Sequence, residues 1–440
     1  MFKTIRNAFM IPDVRKKIFF TLLILIIYRI GCVIPVPFVD ITALGNDTLL
    51  TSGTSILAYI NTMSGGALGN ATVFAMGITP YINSSIIMQL LCVAIPALEK
   101  LSKEGEEGRK KIATMTRYMT VVLGLIQGTA YFFYIKGSNY LNVDGAFDKW
   151  FAAFVIVGAF TAGTALIMWL GEQINEKGIG NGISMILFAG IVARMPMTVY
   201  QLFPINDMYT SYWSMASEHK AYYALVPAFI VLFLIVIWVI TFMQDAERRI
   251  PVQYAKRVVG RKMYGGQSSH LPIKVALGGV MPVIFSSSIL SIPSTITLFY
   301  TPAEGTFWYN FFKELSPSGW TYQILSFLLI LAFAYFYTTI QYNPIEMANN
   351  LKQNNGTVPG IRPGAPTADF IKKILSRITL IGALFLAFIA LVPSIFTKLA
   401  GMTSLSMGGT SVIIMVGVAL ETVKQLESQM MMRHYKGFLD

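Results

Sequence analysis

Charge is what this sequence has least of. Only 13% of its 440 residues are Asp, Glu, Lys or Arg, against about 25% in soluble domains, while 54% are hydrophobic. A chain so apolar cannot clothe a water-facing surface, which excludes an ordinary soluble globule and makes lipid the solvent. There are two cysteines, Cys32 and Cys92, both inside apolar stretches; with no CxxC or Cys/His cluster they read as small packing groups, and no disulfide is expected. Three histidines, His219, His270 and His434, sit in polar connections. Neither HExxH nor GxSxG occurs, and the GIGNG run at 178–182 lacks the strand-to-helix setting of a dinucleotide site. No enzyme, cofactor or metal is therefore expected. Carboxylates are missing from the middle of every apolar stretch, which argues against a proton-driven carrier but leaves room for a sodium-coupled one built on backbone carbonyls.

What is present is length and order. Ten apolar stretches can each span a bilayer, near 18–37, 72–95, 115–135, 151–170, 183–203, 222–243, 273–298, 320–340, 374–394 and 405–425. Every second connection is basic. The N-terminus, the even-to-odd connections and the tail carry 27 of the 34 Lys and Arg, whereas the opposite set holds only Lys136, Lys149, Lys220, Lys313 and Lys398. Positive-inside logic puts both termini in the cytoplasm. The net charge of +12 then reads as orientation and attraction to anionic lipids, not as a nucleic-acid footprint. Met1–Lys17, with Phe2, Ile5 and Phe9 among basic residues, predicts a short helix in the cytoplasmic interface. Arg29 lies in the first span, at a cost of about 2.5 to 3.5 kcal/mol at a helix centre that surrounding aliphatic groups offset; it should face protein or water.

Five spans precede the 204–221 connection, so the second five start from the opposite side. Two inverted halves, 1–208 and 209–440, follow by counting. Between spans one and two, Ser55–Met63 is helix-like but too short to cross, and Gly65, Gly66 and Gly69 follow it. It can be an outer interfacial helix or a re-entrant segment shielded by protein, with a glycine-rich exit that would let it move. Two cytoplasmic loops, 244–272 and 341–373, exceed what a turn needs. Val252, Tyr254, Val258 and Val259 between basic groups suggest a protruding strand or hairpin, and VPGIRP at 358–363 an ordered turn presenting Arg362. In span two, Thr79 with Asn83 and Ile82 with Ile86 make adjoining polar and branched apolar faces. Gln127 in span three and Ser286, Ser287 and Ser288 in span seven could meet them across a weakly glued seam.

The stretches Val73–Gln89 and WLGEQINEKGIGNGISMIL (169–187) resemble the signature segments of the SecY family, the pore subunits of bacterial protein-conducting channels. ERRIPVQYAKRVVGRK (247–262), QSSHLPIKV (267–275), NPIEMANNLK (343–352) and VPGIRPG (358–364) are similar as well, in order along the whole chain. The resemblance implies an all-α membrane protein with ten transmembrane helices in two inverted five-helix halves around an hourglass pore. By it, Ile82, Ile86, Ile191, Ile284 and Ile414 match a pore ring. The plug matches 55–66, that is Ser55, Ile56, Leu57, Ala58, Tyr59, Ile60, Asn61, Thr62, Met63, Ser64, Gly65 and Gly66. A lateral gate between spans two and three and spans seven and eight would hold Thr79, Asn83, Gln127 and Ser287. Arg248, Arg249, Lys256, Arg257, Arg261, Lys262, Lys352 and Arg362 match the partner-binding loops. The implied partners are the small membrane subunits SecE and SecG, the SecA ATPase motor, the ribosome, signal sequences and nascent polypeptides, in the bacterial cytoplasmic membrane.

The physics suits that expectation. Ions cannot pass a dry isoleucine ring without shedding water, yet flexible aliphatic groups can part around a chain of any sequence and close again. An inverted-repeat secondary transporter of a small solute is the alternative that ten spans and a broken segment also allow.

Overall fold

The computed structural model describes residues 6, 8–45, 47, 56–143, 145–203, 211–215, 220–254, 257–259, 262–264, 268–299, 306–317, 319–402 and 408–436. Each of the ten apolar stretches coincides with a helix or a broken helix. These are α1 (Pro12–Gly31), α3 (Thr79–Ala94), α5 (Glu106–Gly137), α6 (Ala146–Lys177), α7 (Gly182–Leu202) and α8 (Tyr222–Asp245). The second group is the pair α9 (Met281–Leu290) and α10 (Ile292–Phe299), then α12 (Trp320–Gln341), α14 (Ala365–Leu399) and α15 (Gly409–Lys436). Shorter helices are α2 (Ile56–Met63), α4 (Pro96–Lys103), α11 (Phe307–Glu314) and α13 (Pro344–Gln353). Among the described residues, seven helices are long and apolar enough to cross a membrane unaided, and the bent pair α3 and α4 makes an eighth.

The departures from the expected spans have local causes. α1 starts six residues early and stops at Gly31, because Pro35 and Pro37 cannot continue it. The freed backbone pairs instead with the start of span two: Val36 N–H donates to Ala71 O at 2.9 Å and Val73 N–H to Ile34 O at 3.0 Å. Residues 72–78 are consequently turns rather than helix. Pro96 ends α3 by forcing Ile95 into an extended conformation (φ −107°, ψ 115°), and α4 leaves at 102°. The seventh span breaks at Ser291, whose hydroxyl bonds back to Ser288 O at 2.6 Å just ahead of Pro293. The GIGNG run is a helix start: Gly180 turns the chain at φ +89° and the Asn181 side chain caps α7 by accepting from Ile183 N–H at 3.1 Å. At the N-terminus, residues 8–10 are helical and Ala8 packs with Val14, Ile179 and Leu426, so this segment leans on protein; Phe2 and Ile5 lie outside the described residues.

Two small sheets interrupt the helices, so the fold is mostly rather than wholly α. β1 (Glu247–Tyr254) pairs antiparallel with β4 (Ser268–Lys274) over seven residues, and β2 (Arg257–Val259) with β3 (Lys262–Tyr264) at the tip. The other long loop adds β5 (Gly356–Thr357) to the opposite edge of β1, order β4-β1-β5. Ile250, Val252 and Ile273 face inward against Leu351, Val358 and Ile371, which welds the two long loops into one platform. Pro251 is tolerated because β5 reaches only Gln253 and Tyr254, leaving that edge of β1 free.

Candidate functional site

Four helices aim isoleucines at one place. Ile82 and Ile86 come from α3, Ile191 from α7, Ile284 from α9 and Ile414 from α15; each is at most 3% exposed, and all five belong to one apolar cluster. α3 packs on α9, α7 on α15, and α9 on α15, so the cluster lies where the first five spans meet the second five. On one side of it is a cavity of about 360 Å³ whose lining includes Asn181, Ser184, Gln244, Lys274, Glu421 and Lys424. Val280 and Gly417, also in its wall, are one helical turn from Ile284 and Ile414. Lys424 bonds to Asp245 Oδ1 at 2.6 Å on its rim. The arrangement is a polar funnel ending in aliphatic side chains.

The other side is occupied by α2 and its exit. Met63 joins the isoleucine cluster, and Leu57, Ala58, Asn61, Thr62 and Ser64 are buried. This segment is shielded by protein and is not a surface helix; Ser55 lies outside the described residues, as do the side chains of Ile56 and Tyr59. Ile60 is half-buried. The glycine-rich exit is not a slack hinge. Gly66 N–H donates to Asn61 O at 2.8 Å, Gly69 N–H to Asn61 Oδ1 at 2.8 Å, and Tyr131 Oη to Leu68 O at 2.6 Å. Gly65 and Gly66 are needed there for φ of +70° and +91°, a backbone that other residues adopt only with strain.

The seam between the halves is polar and imperfectly satisfied. α5 packs on α10 as α3 does on α9. Thr79 and Gln127 are half-buried, whereas Asn83 is 5% exposed with its Oδ1 buried and unpartnered. The Ser287 hydroxyl donates within its own helix, to Ile284 O at 2.9 Å, instead of across the seam. Within the second half, Ser286 bonds from α9 to Ser326 O of α12 at 3.4 Å. Near it, both polar atoms of Gln323 are buried without partners. Sequence reasoning missed Gln323 and Ser326; a Gln and a Ser three apart in an otherwise apolar span was the available signal. An orphaned buried polar atom costs about 1 to 3 kcal/mol, so this closed interface is held weakly.

On the platform, Arg248, Arg249, Lys352 and Arg362 are exposed. Arg249 is partly engaged by Glu247 at 2.7 Å. Arg362 stands between Gly360 (φ +81°) and Gly364 (φ +106°), and its carbonyl accepts from Thr367 Oγ1 at 2.8 Å, which fixes the turn. Lys256 and Arg261 lie outside the described residues, as do the side chains of Arg257 and Lys262. On α4, a hydrogen bond from Lys103 and its charge hold the Glu99 carboxyl below the usual range. Among the described residues no group of three or more His, Cys, Asp or Glu could hold a metal.

The family model for SecY matches residues 72–423. The chain is 44% identical over 444 residues to the protein translocase subunit SecY of Bacillus subtilis (strain 168), with 100% of both chains covered. Two solved structures share the fold at 17% identity and a TM-score of 0.63, each covering 94% of this chain and 92% of the other. One is described as a plug domain of the SecY protein that stabilises the closed state of the translocation channel and maintains a membrane seal. The second is Sec61 in the canine ribosome-channel complex from the endoplasmic reticulum.

Proposed function

The chain belongs to the SecY family, and from that premise we propose that Ile82, Ile86, Ile191, Ile284 and Ile414 are the seal of its protein-conducting channel, with 55–66 as the plug behind it. It is a translocase subunit and a multi-pass helical membrane protein, not an enzyme, and membership of the family sets aside the small-solute transporter. The observation that carries the reading is the convergence of five isoleucines from four helices on one cluster between a polar funnel and a buried re-entrant segment. An unfolded secretory chain would enter from the funnel, part the aliphatic side chains and displace the plug. An apolar segment would instead leave sideways, through the seam of Thr79, Asn83, Gln127 and Ser287, by partitioning into lipid.

Energy and direction come from partners. The basic residues of both cytoplasmic loops, Arg362 foremost, suit a ribosome or a SecA motor by electrostatic complementarity, and the ribosome-bound Sec61 relative supports this. SecE and SecG brace the two halves, 1–208 and 209–440, from the lipid side. Both termini face the cytoplasm of a bacterial cell, and anionic lipids meet the basic connections. The test is a secretory chain stalled in transit, with a photo-reactive residue placed in the channel at Ile284 or at lipid-facing Leu328, which is 55% exposed. Capture at 284 and not at 328 is expected; equal capture, or none at 284, rejects the conduit.

A further inference from the structure

Most of the 34 Lys and Arg lie in connections or near the ends of the expected spans; Arg29 and Arg194 fall well inside the 18–37 and 183–203 stretches, Arg29 in the last turn of α1 as folded. A cation at that depth is costly and normally tied to function. The two sit on different helices, α1 and α7, yet both reach the same short stretch of backbone. Arg29 Nη1 donates to Gly65 O at 3.4 Å. A Cβ placed on Gly66 would stand 3.0 Å from Arg194 Nη1, and one on Gly65 2.5 Å from Arg29 Nη1.

Their helices close on the segment as well. From α1, the Tyr28 hydroxyl and the Cys32 thiol both point to Ser64 O, at 3.4 and 3.8 Å. From α7, Gly190 lets the backbones touch, since a Cβ there would lie 2.3 Å from Met63 O and 3.4 Å from Gly65 N. Gly190 and Arg194 are four residues apart, hence on one helix face. Snorkelling to the outer interface would explain Arg29, two residues from the end of α1, but not Arg194, eight residues short of the end of α7.

We propose that Arg29 and Arg194 are positioning residues that latch the plug shut, gripping the backbone at Gly65 and Gly66 from two sides so that opening requires both guanidiniums to let go. The inference rests on 55–66 being the plug. Gly65 and Gly66 serve the latch twice: their left-handed turn presents the carbonyl edge, and the missing Cβ atoms leave room for the guanidiniums. The bond from Arg29 to Gly65 O, with the Arg194 guanidinium packed against Gly66, suits a latch because water can fully replace it once the segment swings out.

The full chain with its small subunits, in planar bilayers, tests this through the open fraction of the resting channel. Arg29→Gln and Arg194→Gln should each raise it about threefold to tenfold, below the usual worth of a charge-assisted bond because of its 3.4 Å length. The double variant should approach the product, Arg29→Lys should recover part of the seal, and amide exchange across 64–70 should quicken. Should a Gln variant fail to accumulate, Arg29→Met or Arg194→Met, which keep the apolar stem and remove the guanidinium, must leak in its place. Deleting 56–66 separates the two ideas. A leak on deletion while every latch variant stays tight overturns the latch and leaves the plug; a tight seal after deletion removes both.

Discussion

Shaving the waist should open a leak that an equally buried isoleucine elsewhere does not. Ile284 is 1% exposed, so Ile284→Ala removes about 2.4 kcal/mol of transfer free energy at about 0.8 per methylene. With the cavity term, the folding cost should be about 2 to 5 kcal/mol. Ile167 on α6 is 0% exposed and belongs to the same apolar cluster, so Ile167→Ala should cost as much. The two differ in where the lost volume lies. At Ile284 it adjoins a funnel whose wall begins one turn away at Val280 and Met281, and water can enter it; at Ile167 it becomes a closed void. Each 1.4 kcal/mol taken off the dehydration barrier speeds ion passage about tenfold. Resting conductance in planar bilayers should therefore rise about tenfold or more for Ile284→Ala and for the pair Ile82→Ser with Ile86→Ser, and stay at the parent level for Ile167→Ala and Ile284→Leu. A tight seal in the ring variants, or the same leak from Ile167→Ala, would refute the reasoning.

Three further outcomes follow from the seam and the platform. Asn83→Leu removes a buried acceptor that has no partner and should stabilise the closed seam by about 1 to 2 kcal/mol, so membrane insertion of weakly apolar segments should fall while export of secretory chains persists; unchanged insertion thresholds would count against the gate. Arg362→Glu should weaken sedimentation with ribosomes and stimulation of a SecA motor, with the protein still accumulating in the membrane, and normal association would remove its docking role. Val252→Asp buries a carboxylate at a site 1% exposed, and should expose the sheet to limited proteolysis at a stability cost of several kcal/mol, leaving the resting seal intact.

How much could be read beforehand depended on whether a feature was local. Ile82 and Ile86 are one helical turn apart, and Thr79 and Asn83 lie on the adjoining face, so both faces of α3 were legible from spacing. The ends of that span were not, because residues 72–78 give up helix to pair with 34–36, a contact that joins two spans. Arg29 announced itself by its cost, and it does face protein. Arg194 carried the same cost in the middle of its span and sequence reasoning missed it; which backbone it meets could not be read from the sequence. The glycines at 65 and 66 were half legible: a mobile exit could be read from them, but not the left-handed turn bonded to Asn61 O, nor the grip of Tyr131 on Leu68 just beyond it. β5, two residues long, has no pattern of its own and exists only because β1 offers an edge.

These features fit one energetic requirement. A channel for arbitrary chains must stay shut at rest, yet a partner or signal segment must open it without chemistry at the waist. Driving a closed state from 99:1 to 1:99 takes about 5.5 kcal/mol of differential binding. The contacts that hold the plug exit and the seam are of the right size: single hydrogen bonds of about 1 kcal/mol each, two arginine arms, and an interface whose Asn83 is already poorly satisfied. A fully bonded seam or an ion-paired plug would overshoot what one docked segment can supply, and an apolar plug with no polar grip would sit too loosely to seal. The isoleucines add no directional bond, which leaves the closing force to surface burial alone and the opening decision to the latch and the seam.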